Sequence, residues 1–373
     1  MSPEGPANGH RIADLPIFTT RRLIQTLVVV LVLLGAIYFF VPKLVGLGDA
    51  LGRLDEADPL WVAIAIGFNV LAYATYIALF KAVVGGDVLR LRWRETYEIN
   101  MAGVAATLLF SAGGAGGIAL TYWALRKAGM QARDVARRMI AFVSLHYAFY
   151  PIALIVFGVL LRTGVLHGKS SVELTIIPAA VAGLMLIAGV LITLIPPDVD
   201  RRLTRFAHSE RSTHWVRKAA TVPATLSEGF RFALGLFAHP SRGGLAVIGA
   251  AGYWAASIGV LWASFHAFGL HIPLAVVVQG YFLGMVANLI PFAPAGVGAV
   301  DAGMIGAFVL FGVPEETVFP AILVFRLVSF WMPIPPGVFA FFQLRHTVHR
   351  WEEEGLPIDR GGRATSDLEP AIG

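Results

Sequence analysis

"LLFSAGGAGGIAL", residues 108–120, sets five small residues, Gly113 to Gly117, inside an otherwise apolar stretch. Glycine weakens a helix by roughly 1 kcal/mol relative to alanine, so the run serves something a regular helix cannot. Gly114, Gly116 and Ala119 match the dinucleotide fingerprint G-x-G-x-x-A, with Asp134 twenty residues after Gly114. That fingerprint acts only inside a soluble βαβ unit. In a bilayer the same run is a helix interruption, and the surrounding chain decides between the two.

The chain has 373 residues, 57% hydrophobic and 14% charged, where an average soluble domain is about 25% charged. Its mean hydropathy is +0.71. These values describe a membrane protein. No strand pattern or soluble unit surrounds the glycine run, so the dinucleotide reading falls. There is no cysteine, hence no disulfide, thiolate metal site or thiol nucleophile. The net charge of +5 belongs to loops, because no basic domain is present to carry nucleic acid.

A spanning helix needs about 20 apolar residues. Six candidates lie near 22–42, 59–81, 139–161, 174–196, 243–268 and 318–343. The first follows Arg21–Arg22 but is too long for a cleaved signal and lacks a small-residue exit site, so it is read as a retained helix. Two further apolar stretches, 97–128 and 273–311, are broken in the middle, one by Gly113–Gly117 and the other by "IPFAPAGVG", Ile290 to Gly298. Each is read as a hairpin of two short helices, re-entrant or crossing.

If each hairpin returns to the side it left, segments 1–22, 81–96, 126–138, 197–242 and 344–373 share one side and hold 24 of the 29 Lys and Arg residues. The other side holds 4, and Arg326 lies inside a helix. Such a split places both termini in the cytoplasm of a cell-membrane protein. The broken stretches also correspond at an offset of 182 residues: Gly114 and Gly116 fall on Gly296 and Gly298, and "FYPI" at 149–152 falls on "WMPI" at 331–334. One hairpin opens to each side, which is an inverted-topology repeat. The expected fold is therefore an all-α polytopic membrane protein with six full spans and two helical hairpins. Around the membrane part, 22–343, lie an N-terminal tail, 1–21, and a polar tail, 344–373. The basic connection 197–242 is read either as an amphipathic helix on the inner leaflet or as a solvated loop.

"FSAGGAGGIALTYWALRKAGM" and "NLIPFAPAGVGAVDAGMIGAFVLFGVPEETVFPAILVFRLVSFWMPIPPGVFAF" resemble the signature regions of the transmembrane region of bacterial lysylphosphatidylglycerol synthases, the flippase-like family. The shared pattern is a Pro/Gly turn (Pro294–Gly298), a carboxylate (Asp301), a Gly-Val-Pro step (Gly312–Pro314) and a helix arginine (Arg326). Two positions depart from it: the family carboxylate is usually glutamate, and its turn usually reads Pro-Gly-Gly, where Pro294–Ala295–Gly296 stand here. The synthases continue into a soluble aminoacyl-transferase domain, whereas this chain ends about 30 residues after its last candidate helix. The resemblance implies lipid translocation without lysine transfer; from the residues themselves, no cofactor or metal is expected.

The residues suggest where a site would lie. A glycine-rich break leaves free N–H groups at the start of the next half-helix, which with the helix dipole favour an anion. Gly113, Gly114, Gly116, Gly117, Gly296 and Gly298 are thus candidates for a headgroup phosphate, or else for tight turning and close packing. Arg326, in "LVFRLVSFW", sits near mid-membrane, where arginine costs about 2.5–3.5 kcal/mol and needs a partner. Asp301 lies at similar depth, so the two are expected to pair, with or without a substrate phosphate sharing the guanidinium. Asn69, His146 and Asn288 are polar at membrane depth. Asn288 extends a face with Gly280 and Gly284, a spacing that serves packing. Arg126 closes the first hairpin, either snorkelling or landing a phospholipid. No complete G-x-x-x-x-G-K-[ST] loop occurs: the triplet Gly168–Lys169–Ser170 has Thr163 where that loop needs its first glycine. The expected partner is an anionic membrane lipid. A lipid-modifying enzyme, a homo-oligomer and a non-transporting member of an envelope-biosynthesis complex remain as alternatives.

Overall fold

The computed structural model describes residues 53–85, 89–109, 115–169, 171–194, 213–286 and 298–353. These belong to one compact unit, Arg53–Gly373, and hold no strand. Five stretches are long and apolar enough to cross a membrane: Pro59–Val84, Ala132–Arg162, Val172–Thr193, Gly243–His266 and Glu315–Glu353. The sixth candidate, 22–42, lies outside the described residues.

In chain order the helices are α1 (Pro59–Val84), α2 (Trp93–Leu109), α3 (Ala115–Lys127), α4 (Ala132–Arg162), α5 (Val172–Thr193), α6 (Thr213–Ala238), α7 (Pro240–His266), α8 (Leu274–Met285), α9 (Ala299–Leu310), α10 (Glu315–Arg326) and α11 (Ile334–Glu353). Local chemistry sets several boundaries. Asp58 caps α1 by accepting the Leu60 N–H at 2.8 Å, with Pro59 opening the helix. Gly129 (φ +95°) closes α3 and Gly312 (φ +93°) closes α9. In each case the next N–H reaches back five residues, Met130 to Leu125 and Val313 to Phe308.

Each broken stretch forms two short helices packed on one another, α2 with α3 and α8 with α9. α2 has 17 residues and α3 has 13, while α8 and α9 have 12 each. At 1.5 Å per residue that is about 18–26 Å, below the ~30 Å hydrocarbon core. Missing side chains allow the close approach. A Cβ on Gly117 would lie 2.5 Å from the Gly103 carbonyl oxygen, and one on Gly284 2.7 Å from Met304 Cα.

The hairpins open at opposite ends of the bundle. Lys127, at the end of α3, pairs with Glu352 near the end of α11. At the other end Lys169 donates to Leu310 O, the last residue of α9 (2.8 Å), and Asp58 N–H to Ala267 O (2.9 Å). Arg126, Lys127, Arg133, Arg137, Arg138 and Arg350 gather at the first end. Residues 213–238 of the basic connection form α6, which lies against α4, α5 and α7. Arg133 pairs with Glu228, Arg231 Nε donates to Thr193 O at 2.8 Å, and Arg137 and Arg138 each sit 5.5 Å from the Phe232 ring centre.

α10 and α11 form one 39-residue span, joined through a wider turn at Leu327–Trp331, where the Met332 N–H bonds Leu327 O, five residues back, at 3.2 Å. The span reaches Glu353, so residues 344–353 of the polar tail continue the last helix. It also touches both hairpins: α10 packs on α9, and α11 packs on α2 and α3. The main core gathers Trp254, Phe265, Tyr281, Phe282, Phe308 and Phe325. By contrast α5 leaves Ile177, Val181, Leu184 and Leu191 more than half exposed, a lipid-facing surface.

Candidate functional site

Asp301 stands in the first turn of α9, three residues after the capping Gly298 (φ +81°). One carboxylate oxygen accepts the Gly298 N–H at 2.9 Å, and the other accepts Arg326 Nε at 2.6 Å. Arg326 is 8% exposed, and its guanidinium lies 5.6 Å from the Phe330 ring centre. It is the last residue of α10, about 16 Å along the axis from Glu315, close to the middle of a bilayer.

The wide turn begins immediately after Arg326, and Pro333 explains its polar demands. In a regular helix Val328 O would take the Met332 N–H, but that donor goes to Leu327 O. The next donor would come from residue 333, and proline has none. Asn69 Nδ2 fills the gap by donating to Val328 O at 2.9 Å, and Tyr73 Oη approaches Ser329 O at 3.5 Å. Asn69 and Tyr73 are one turn apart on α1, so a single helix face serves the turn. Asn69 therefore has a protein partner for its amide N–H.

Pro151 lies in α4, and five residues before it His146 O accepts Trp254 Nε1 at 2.7 Å. The His146 ring is 5% exposed and enclosed by Tyr76, Tyr253 and Trp254 at centroid distances of 5.0, 4.7 and 4.9 Å. Its Nδ1 has no hydrogen-bond partner among the described residues.

Of the remaining candidates, Gly117 is buried in the α2–α3 contact, Gly116 lies in the first turn of α3, and the Gly298 N–H is taken by Asp301. Arg126 is exposed and donates to Met130 O at 2.6 Å, closing its own helix end. Gly280 and Gly284 pack on Phe308 and Met304. Gly113, Gly114, Asn288 and Gly296 lie outside the described residues. Among the described residues no group of three His, Cys, Asp or Glu side chains could hold a metal.

Three polar residues that hold the site's frame escaped the sequence reading. Glu98, fully buried on α2, accepts Thr347 Oγ1 from α11 at 2.7 Å and Arg94 Nε at 2.8 Å. Arg138 Nη1 lies 2.8, 3.2 and 2.7 Å from the carbonyl oxygens of Val83, Val84 and Gly85, closing α1. Gln279 Nε2 donates to Leu174 O at 2.9 Å, the carbonyl that Pro178 leaves without a helical donor. The available signals were a carboxylate inside an apolar stretch and a proline inside a span.

The family model for the lysylphosphatidylglycerol synthase transmembrane region matches residues 22–337. A protein named UPF0104 membrane protein from Methanothermobacter thermautotrophicus is 25% identical over 310 residues, covering 80% of this chain and 89% of the relative. A second match of the same name and organism is 35% identical over 72 residues, 19% of this chain and 22% of the relative.

Proposed function

Because the chain belongs to the lysylphosphatidylglycerol synthase transmembrane-region family, we propose that it is a lipid flippase, moving an anionic phospholipid or a polyprenyl-phosphate-linked glycolipid between leaflets. The observation that carries this reading is the Arg326–Asp301 pair. Arginine's planar fork suits phosphate oxygens, and a carboxylate partner offers a resting place that a phosphate can replace without leaving the cation bare. Asp301 is anchored separately by the Gly298 N–H, so it keeps one partner when the arginine turns away.

Three features support the transport cycle. The hairpins open at opposite ends, the last span touches both, and the carbonyl five residues before Pro151 and before Pro333 is held by a side chain from another helix in each half. These fit an inverted repeat with alternating access. The concentration of cations at the α3–α4 end orients that end, and both termini, toward the cytoplasm of the cell membrane.

The test is reconstitution into liposomes carrying a fluorescent phosphatidylglycerol, with external quenching to read leaflet exchange. Wild-type protein is expected to accelerate exchange without altering the lipid, and Arg326→Ala and Asp301→Ala to abolish it while still inserting. A chemically modified lipid would make the protein an enzyme. No exchange together with a stoichiometric co-purifying partner would make it a non-transporting anchor.

A further inference from the structure

We propose that Asn69 is a positioning residue for Arg326, and that the turn at Leu327–Trp331 is a two-register element whose choice of register sets where Arg326 points. The inference rests on the flippase reading for its purpose, but its geometry stands apart from that reading.

The wide turn holds one residue more than a regular helical turn. Closing it into a regular helix would offset the two halves of the span by one residue, about 100° and 1.5 Å. The halves are anchored differently. Beyond the turn, a Cβ on Gly337 would lie 2.8 Å from Met101 O, and Thr347 bonds Glu98, so α11 is seated on the first hairpin. Before the turn, Arg326 is tied to Asp301 of the second hairpin. With α11 seated, an offset turns α10 and takes Arg326 off Asp301.

The hydrogen-bond accounting identifies the residue that selects the register. In the regular register Val328 O takes the Met332 N–H, while Ser329, Trp331 and Met332 O lack helical donors because residues 333, 335 and 336 are proline. In the wide register observed here, Val328 O has no backbone donor and depends on Asn69 Nδ2, 2.9 Å away. Tyr73, facing Ser329 O, serves a carbonyl that is short of a donor in the regular register as well. The Asn69 amide therefore stabilises one register and contributes nothing comparable to the other, which is the differential interaction a two-state element requires. Asn69 is 5% exposed and Val328 3%, so no water replaces it. Loss of that donor strands a buried carbonyl and shifts the equilibrium by about 5- to 150-fold toward the regular register.

Position 327 reports the register. Leu327 is 54% exposed, while its neighbours Arg326 and Val328 are 8% and 3% exposed, so a one-residue offset in either direction buries it. The chain has no cysteine, so Leu327→Cys accepts a single nitroxide label in detergent, which is then read after reconstitution in lipid. The label's collision rate with dissolved oxygen is expected to fall several-fold when Asn69→Leu is added. It is expected to stay at the parent level with Tyr73→Phe, and with Asn69→His, which keeps an N–H donor. Leaflet exchange of labelled phosphatidylglycerol should follow the same order. Should Asn69→Leu fail to insert, Asn69→Ser carries the same expectation. Unchanged oxygen collisions in a folded Asn69→Leu or Asn69→Ser protein would overturn the proposal, as would an equal fall with Tyr73→Phe. Absence of exchange in the wild type would instead remove the flippase reading, while the label still decides the register.

Discussion

The pairing of Arg326 with Asp301 makes a quantitative prediction that separates a membrane-buried ion pair from an ornamental one. The side chains are 10% and 23% exposed, with Nε 2.6 Å from Oδ1. Asp301→Asn keeps an oxygen for the Gly298 N–H but removes the charge. Arg326 then loses its carboxylate partner at a depth where arginine costs about 2.5–3.5 kcal/mol, and breaking one side of a buried pair costs about 3–5 kcal/mol. The partial exposure of Asp301 places the expected loss at the lower end, about 3 kcal/mol. Arg326→Gln leaves Asp301 with the Gly298 N–H and partial access to water, so its expected cost is smaller, about 1–2 kcal/mol. The double variant leaves no bare charge and should recover most of the larger loss, giving a coupling of about 2–3 kcal/mol. SDS titration in mixed micelles, followed through the 8 tryptophans, measures it. The exposed Lys127–Glu352 pair, with side chains 31% and 49% exposed, is the comparator and should couple by less than about 1 kcal/mol. A coupling for Arg326–Asp301 no larger than the comparator's would refute the assignment of a desolvated, mutually dependent pair.

Other perturbations follow from close contacts and borrowed donors. Gly284→Ala should destabilise by about 1–3 kcal/mol, because its Cβ would fall 2.7 Å from Met304 Cα, whereas Gly306→Ala, with nothing within 4 Å, should stabilise by about 0.5–1 kcal/mol. The same titration reads both. Gly117→Val should prevent the α2–α3 contact, since a Cβ there would already lie 2.0 Å from Thr107 Oγ1 and 2.5 Å from Gly103 O; trypsin cleavage near Arg126 and Lys127 in reconstituted protein should rise well above wild type. Gln279→Leu strands Leu174 O beside Pro178 and should cost about 1–3 kcal/mol; an unchanged SDS midpoint would show that another donor reaches that carbonyl.

Much of the helix plan was legible along the chain. Apolar length located α1, α4, α5 and α7 within a few residues, except that α4 begins seven residues before the expected 139. The glycine run at 113–117 and the Pro/Gly run at 290–298 marked the two hairpins, because broken backbone in a bilayer has few explanations. Arg326 and Asp301 stood out for a similar reason: an ionised group at membrane depth demands a partner, and few were available. The end of the last span was misplaced, because its final ten residues are polar yet helical, with Thr347, Val348 and Trp351 buried against neighbours. Asn69 and His146 were visible as polar residues but not as to partner. Hydrogen bonds across 259 residues, as between Asn69 and Val328, leave no periodicity to read.

Composition and hydropathy by themselves determined a helical membrane chain, its interruptions and the residues whose charge must be compensated, because water-to-lipid transfer acts on each segment before any packing exists. Only the tertiary structure decided which donor serves which orphaned carbonyl, that Glu98 and Arg138 anchor helices, and that a wide turn follows Arg326. Proline removes a donor at a position anyone can read, but the side chain that replaces it comes from whichever helix packs there, and that is settled by the shapes of all the helices together.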